Sequence, residues 1–400
     1  MITPDNLYRN PNALSPFYKR FRVSDRLLLT GHSHQAWPDC GFEGQQRAWL
    51  DAAEYVDQKW DRAFAMADLV RKGFARLLGD SKGEIALGGS THDLIVRFLS
   101  ALPFHARPRI VTTDGEFHSL RRQLDRIAEE NIEVVKVPSH PASSVAERLI
   151  EATDDRVAAV MVSSVFFQTG EIVSGLGDVL EKCGKVGAEF LVDAYHSLNV
   201  VPFSLKSERL EGAFIVGGGY KYCQLGEGNC YLRFPQDCRM RPLVTGWFSE
   251  FESLAQSSSE KVLYGEGHAR FAGSTYDPAS HYRASEVFAF FEQKGLNPEL
   301  LREVSQHQIR LLAGCFDELD FDPGIITRNR SIPLDSIGGF LALCSTRAAE
   351  LCRRLYERGV HTDFRGEILR LGPAPYLSDR QLVECVEILH DTTTSLNCRL

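Results

Sequence analysis

Short apolar runs alternate with longer stretches in which apolar residues recur at helical spacing, and this alternation extends through most of the chain. The runs Glu84–Leu87, Arg109–Thr113, Glu133–Val137, Val157–Ser163, Glu189–Val192 and Ala213–Val216 read as buried strands, because each is apolar and bounded by turn residues. Between them, His92–Leu102, Ser119–Glu130, Ser144–Ala152 and Leu176–Val186 carry the helical period. Upstream, Glu43–Trp60 and Asp68–Leu78 do the same, with Gly79 as a stop signal. Strands alternating with helices predict a largely parallel sheet covered on both faces. Beyond about Asp277 the pattern changes. Long helices at Ser280–Lys294 and Pro298–Leu319 precede short strands at Gly339–Cys344 and Ile368–Leu371. The expected fold class is therefore α/β: a large domain over 38–276 with a mainly parallel sheet flanked by helices, and a smaller α+β domain over 277–400. The N-terminal arm, 1–37, is expected to pack on the smaller unit.

Composition narrows the partners. With 400 residues, 44% hydrophobic and 24% charged, the chain can bury a large core. A formal net charge of −8 argues against a protein built for nucleic acid or anionic membranes, which need clustered basic surface, and leaves small molecules as the expected partners. The ten cysteines include no C-x-x-C pair, and Cys183, Cys223, Cys344 and Cys352 lie in or beside apolar segments, so they read as reduced and structural. The first residues carry prolines and charges without an apolar core, and no apolar run reaches the ~18 residues that a membrane span needs. The expected compartment is the cytoplasm.

Candidate chemistry gathers at two strand ends. Gly217-Gly218-Gly219 leads into Tyr220-Lys221-Tyr222, and the run ending at Val192 leads into Asp193-Ala194-Tyr195-His196. Taken singly, a lysine after glycines is a solvated turn residue and an aspartate at a strand end is commonplace. Together, an amine able to condense with an aldehyde and a carboxylate able to hold a pyridine nitrogen protonated describe a seat for pyridoxal 5'-phosphate (PLP). A phosphate-loop reading fails on spacing, since Lys221 is followed by Tyr222 and not by Ser or Thr. Gly88-Gly89-Ser90-Thr91 at a helix start reads either as a plain N-cap or as an anion site for the cofactor's phosphate.

In order and spacing these residues resemble the class V branch of the PLP-dependent fold-type-I aminotransferase superfamily, and within it the kynureninase family most of all. The resemblance covers nearly the whole chain. It rests on Asp193-Ala194-Tyr195-His196, similar to D-x-A-H; on Gly219-Tyr220-Lys221-Tyr222, similar to S-Y-K-Y; and on Gly359-Val360-His361-Thr362-Asp363-Phe364-Arg365 with Leu369-Arg370, similar to G-V-x-x-D-x-R and its L-R step. Gly31-His32-Ser33-His34 and Gly246-Trp247-Phe248 are weaker matches. The resemblance implies that Lys221 forms the imine and shuttles protons, that Asp193 pairs with the pyridine nitrogen, and that His196 lies near the phenolic oxygen. It implies further that Phe117 stacks on the ring and that Ser90, Thr91 and Tyr220 hold the phosphate. In class V dimers a Gly-Ser/Thr turn from the neighbouring subunit completes this cup, and Gly273-Ser274-Thr275 is similar to it, so a homodimer with shared sites is implied. Arg370 is the expected partner of an amino-acid substrate's α-carboxylate, with His32, Ser33, His34 and Trp247 as further substrate contacts. Arg365 is set aside as a structural ion-pair residue.

The activity that the resemblance implies is cleavage of a bond at the β-carbon of an amino acid, as in a kynureninase-like hydrolase or lyase, through a quinonoid, carbanion-like intermediate. The chain departs from the family in ways that bear on the substrate. The loop from Tyr55 to Ala67 is short, His32 and His34 replace smaller or amide residues, and Leu120 stands where the family has an aspartate. A class V aminotransferase or epimerase, and a non-catalytic metabolite-binding relative, are the alternatives. His32-x-His34 lacks a third ligand in the sequence, so no metal is expected. Cysteine desulfurase would need a nucleophilic cysteine on a mobile loop, and Cys344 lies in a strand pattern.

Overall fold

The computed structural model describes residues 2–253 and 261–397. Its strands, in chain order, are β1 (Leu27–Leu28), β2 (Glu84–Gly88), β3 (Arg109–Thr113), β4 (Glu133–Val137), β5 (Val157–Ser163), β6 (Glu189–Asp193), β7 (Phe214–Gly218), β8 (Cys230–Phe234), β9 (Leu341–Cys344), β10 (Val360–His361), β11 (Asp363–Arg365) and β12 (Ile368–Leu371). A seven-stranded sheet takes the order β2-β8-β7-β6-β5-β3-β4. The pairs from β7 across to β4 are parallel, while β8 runs antiparallel to both β7 and β2.

Successive side chains of a strand go to opposite faces, and both faces here are covered. Val111, Val160, Val162 and Val192 join one apolar cluster, while their neighbours Ile110, Ala159, Met161 and Leu191 join the other. That is why the strands read as continuous apolar runs instead of alternating ones. β8 escapes this reading because it carries Arg233, buried at 2% exposure and satisfied by Asp80 and by the carbonyls of Glu211 and Ala213. Charge in a strand is tolerated where it is paired. The helical spacing predicted over Glu43–Trp60 is also broken: helices span Cys40–Tyr55 and Lys59–Leu77, with Val56 between them at φ +48°. Apolar spacing continues across such a break, so the pattern does not reveal it.

The parallel strands deliver their carboxyl ends to one edge, and the segments that follow β2, β3, β6 and β7 meet around a common cavity there. After β8 come the helices Ala279–Lys294 and Pro298–Glu318, then a three-stranded antiparallel sheet in the order β11-β12-β9. Its register sets Asp363 opposite Arg370. The chain's first segment meets this region: β1 pairs with β10, the Asn12 side chain donates to the Pro375 carbonyl at 2.9 Å, and Ala36 N–H donates to the Tyr376 hydroxyl at 2.9 Å. Among the described residues no helix is long and apolar enough to cross a membrane.

Candidate active site

A cavity of about 270 Å³ lies at the carboxyl edge of the sheet, walled by Ser90, Thr91, Phe117, Asp193, His196, Tyr220 and Lys221 together with Gly89, His92 and Cys230. Lys221 reaches it just after β7. Gly217 and Gly218 belong to that strand and do not form a separate turn. Their role is close approach: a Cβ on Gly217 would lie 2.8 Å from the Tyr231 hydroxyl, one on Gly218 would collide with Tyr195, and one on Gly219 would lie 2.6 Å from Leu225. Glycine is required because neighbouring rings close down on this backbone.

Lys221 is 4% exposed, and its amine sits 2.6 Å from His196 Nε2, 4.8 Å from the centre of the Tyr195 ring and 5.3 Å from that of Phe117. Burial pulls its pKa down to about 7, with Asp193 opposing the shift and the arginines Arg370 and Arg365 adding to it. An amine held near neutrality is a competent nucleophile toward an aldehyde. Burial, then the charge of Lys221, holds the His196 imidazole far below its ordinary range, so it is neutral and free to accept a hydrogen bond from the amine. Asp193 is pushed up by burial, against the pull of Tyr195 N–H and Lys221. Among the described residues its carboxylate accepts one hydrogen bond, from Tyr195 N–H at 2.8 Å. A buried carboxylate with so little support has acceptor capacity left for a cationic N–H such as a pyridinium.

The opposite end of the cavity is the start of the helix Thr91–Ser100. Ser90 is its N-cap, its hydroxyl accepting from Asp93 N–H at 3.1 Å, and Thr91 donates weakly to Cys230 Sγ at 3.5 Å. The capping role and an anion site coexist here, since the first-turn N–H groups have no partners within a helix and this end stands at the cavity wall. The Tyr220 ring packs at 4.9 Å on Tyr195. Phe117 packs edge-on against Phe167 and faces His196. Cys230 and His92 join the wall without having been expected there; Cys230 lies on the strand that the pattern left out. The features needed to seat PLP are thus present in one cavity: a near-neutral amine, an undersupplied buried carboxylate, an aromatic face and a helix start.

Several expected contacts lie elsewhere. His32 is fully buried and does not line this cavity: its Nε2 bonds Asp363 Oδ1 at 2.7 Å, Nδ1 has no partner, and a Cβ on Gly372 would strike that nitrogen. Burial pushes its pKa down to about 4, so it is a neutral donor to Asp363. Ser33 caps its own turn, donating to the Thr30 carbonyl at 3.1 Å. His34 stacks on the outer face of Tyr220, ring centres 4.8 Å apart, exposed and near Glu227. Side-chain directions that differ by one residue along a turn separate these three, and the sequence spacing hides this. Arg370 is buried, but its Nε and Nη2 already grip both oxygens of Asp363 and its Nη1 donates to the Phe167 carbonyl. Burial raises the Asp363 carboxyl, yet the bonds from His32 and Arg370 outweigh it and hold the group well below the usual range. Arg365, half-buried, donates to its neighbour's carbonyl at 2.7 Å and lies 3.7 Å from Asp363. Leu120 is a core residue at 1% exposure.

Ser274 and Thr275 line a second, larger cavity of about 980 Å³ that shares Gly89 with the first. Trp247, 42% exposed, donates to Thr275 Oγ1 at 3.2 Å and is packed in neither cavity. Leu243, Val244, Phe251, Val262 and Leu263 are also exposed. Trp247, Ser274 and Thr275 do not line the Lys221 cavity. Cys344 lies on β9 and is exposed; partial desolvation and the charge of Glu367 raise its thiol, opposite to the direction that activates a cysteine.

The kynureninase C-terminal domain family matches residues 301–389. Kynureninase from Bacillus cereus is 26% identical over 401 aligned residues, covering 96% of this chain and 87% of the relative. An uncharacterised aminotransferase of Bacillus subtilis, YcbU, is 22% identical over 85% of this chain and 87% of its own length. Among solved structures, a C-DES mutant with glycine covalently linked to its PLP cofactor superposes with a TM-score of 0.80, at 14% identity, over 94% of this chain and 98% of that one. The fold is that of the PLP-dependent transferases of fold type I, α/β with a mixed, mostly parallel sheet.

Proposed function

We propose that this chain, a member of the class V branch of the PLP-dependent fold-type-I superfamily, is a kynureninase-like enzyme that binds PLP at Lys221 and cleaves a bond at the β-carbon of an amino acid. The observation that carries the reading is the convergence of Lys221, Asp193 and the Ser90–Thr91 helix start on one cavity. When bound, PLP supplies an electron sink for negative charge that develops on the substrate's carbon next to the amino group.

The chain's own residues do the rest. Asp193 would hold the pyridine nitrogen protonated, and its burial would strengthen that pairing because water would not compete. Lys221 would hold PLP through its amine, and as a base near neutral pH that amine would be able to move the proton at the substrate's α-carbon. His196, neutral and in contact with the amine, orients it. Phe117 would cover the ring face, while Ser90, Thr91 and Tyr220 would anchor the phosphate. Arg370 recognises the substrate carboxylate. Three of its five N–H donors are engaged, by Asp363 and Phe167, so one on each terminal nitrogen is left for a second carboxylate. Asp363, itself held by His32, fixes the guanidinium plane for that contact. The Gly273-Ser274-Thr275 turn serves the partner subunit of a homodimer, which fits its place in the second cavity and the exposure of Trp247.

A second reading is favoured by two observations. Leu120 puts a core hydrophobe where the kynureninase family has an acid, and a relative bearing an aminotransferase name matches over most of the chain. One experiment tests both. Purified protein supplied with PLP should turn yellow, and borohydride should then fix the cofactor to Lys221; Lys221→Ala should abolish colour, label and turnover. Colourless wild-type protein would remove the proposal. Release of alanine and an aryl acid from kynurenine or 3-hydroxykynurenine supports hydrolysis, whereas a keto acid with conversion of the cofactor to its amine form supports transamination.

A further inference from the structure

Behind Asp193 lies an acid that the proposed chemistry has not used. Glu116 sits between β3 and the helix His118–Ala128, directly before Phe117, and is 2% exposed. Its Oε1 accepts a hydrogen bond from the Thr113 hydroxyl at 2.6 Å and its Oε2 one from the Ser163 hydroxyl at 2.6 Å. Thr113 ends β3 and Ser163 ends β5, so the carboxyl bridges two strand tips. Ser163 is the in-register neighbour of Asp193 on β6, and in-register residues of parallel strands face the same side. Among the described residues no lysine, arginine or histidine bonds or pairs with Glu116. Two carboxyls are thus buried at adjacent strand ends, and the charge of Lys221 acts on Asp193.

The Thr113 hydroxyl accepts from Gly115 N–H at 3.2 Å and donates to Oε1, whereas among the described residues the Ser163 hydroxyl has no partner besides Oε2 and can turn to accept a proton carried there. We propose that Glu116 is a second, titrating carboxyl of the cofactor seat: a positioning residue that is a neutral acid at low pH and adds a negative charge beside Asp193 at high pH. The inference rests on assigning that seat to PLP. Like charges at adjoining buried sites do not both ionise readily. The titratable neighbour facing Glu116 is Asp193 from β6, its partners from β3 and β5 are neutral hydroxyls, and Lys221 stands beyond Asp193. Burial pushes the Glu116 carboxyl up to about 7, with the charge of Asp193 adding to it against the bonds from Ser163 and Thr113.

Glu116→Gln is the discriminating variant. A glutamine can accept from Thr113 and donate to Ser163, reproducing the neutral acid in both contacts while never carrying charge. Wild-type and variant protein, loaded with PLP, are titrated through neutral and alkaline pH, and the midpoint of the change in the cofactor's visible absorption is read. A negative charge at position 116 favours the protonated form of the cofactor–lysine linkage, so the variant's midpoint should fall by roughly half a pH unit or more. A second readout needs no cofactor: at about pH 5, well below the titration, wild-type protein should show an infrared carbonyl band of a buried protonated carboxylic acid that the variant lacks. Equal midpoints, or no such band in the wild type, overturn the proposal while leaving the PLP assignment intact. Wild-type protein that takes up no PLP overturns the seat assignment and this role with it, and the infrared band then still reports whether the proton is there.

Discussion

At the large-sheet wall of the site, Lys221, Asp193 and His196 each have burial as the largest influence on their protonation, which pushes the amine and imidazole down and the carboxyl up. At the small-sheet wall, burial acts on Asp363 in the same direction, yet Arg370 and His32 override it and drive the carboxyl down. Both walls bury charge; they differ in whether the protein itself satisfies it. Asp193 has one backbone donor, whereas Asp363 has an arginine fork and an imidazole. A buried group left short of partners costs stability unless a ligand completes it, so the first wall is built for a permanent guest. The second wall satisfies the charge of Asp363 from within the protein and, under the proposed function, would present the free N–H groups of Arg370 to a transient one. That division matches a cofactor that stays and a substrate that comes and goes.

The sharpest way to break this contrast is to neutralise the undersupplied carboxylate. Asp193→Asn keeps the shape and the acceptor for Tyr195 N–H but cannot stabilise a pyridinium. Turnover should fall by roughly 100-fold or more, about 3 kcal/mol in the barrier. The melting temperature should hold or rise, because a desolvated charge is removed from the unliganded fold. Turnover near the parent value, or a large loss of stability, would show that Asp193 is a structural residue like Asp363.

The contrast is sharpened on the other side by the two arginines. Arg370→Ala should raise KM for carboxylate substrates by roughly 10- to 100-fold, the range expected for a charge-assisted hydrogen-bonded contact of about 1.5–3 kcal/mol. Measuring it in an Asp363→Asn background removes the penalty of leaving that carboxylate buried and unpaired. Arg365→Ala should move KM by no more than about twofold, since a half-exposed arginine beside a carboxylate already engaged contributes little. If the two arginines exchange these effects, the carboxylate is read by Arg365 and the Arg370–Asp363 pair is scaffolding.

Most of the first wall was legible from sequence and little of the second. Strand ends can be located from apolar runs bounded by glycines, and ligand-binding residues in such sheets follow strand ends, so Asp193, Lys221 and Ser90 could be placed. β8 could not, because its buried Arg233 is neutralised by Asp80 from far along the chain, and with it Cys230 was missed. Glu116 stood in plain sight beside Phe117, but an acid after Asp114-Gly115 looks like an ordinary turn residue until Thr113 and Ser163 are seen to enclose it. On the second wall, Arg370 could be identified from its motif, but its partner could not. Asp363 faces it through antiparallel register, and His32 joins from more than 300 positions away, at a separation of 331 residues. Pairings of that range depend on tertiary geometry, and local pattern carries no signal for them.

His32 offers the mildest perturbation. Its folded pKa of about 4 lies below the unfolded value of 6.5, so between those pH values the unfolded chain binds a proton that the folded imidazole refuses. Stability therefore falls as pH drops through that window, by up to about 3 kcal/mol from this group, and is unaffected by it above pH 6.5. The partner carboxyl stays ionised throughout, because its bonds to His32 and Arg370 hold it low. Glutamine at position 32 retains a donor for Asp363 and has no titration. At neutral pH, His32→Gln should leave kcat and KM within about twofold, in keeping with a residue that acts through Asp363 and touches nothing that reacts. Its loss of stability between pH 6.5 and 4, followed by denaturant unfolding, should be shallower than the parent's. An acid limb as steep as the parent's would mean that His32 takes up its proton in the folded state, turning the second wall into one that changes charge with pH and erasing its difference from the first.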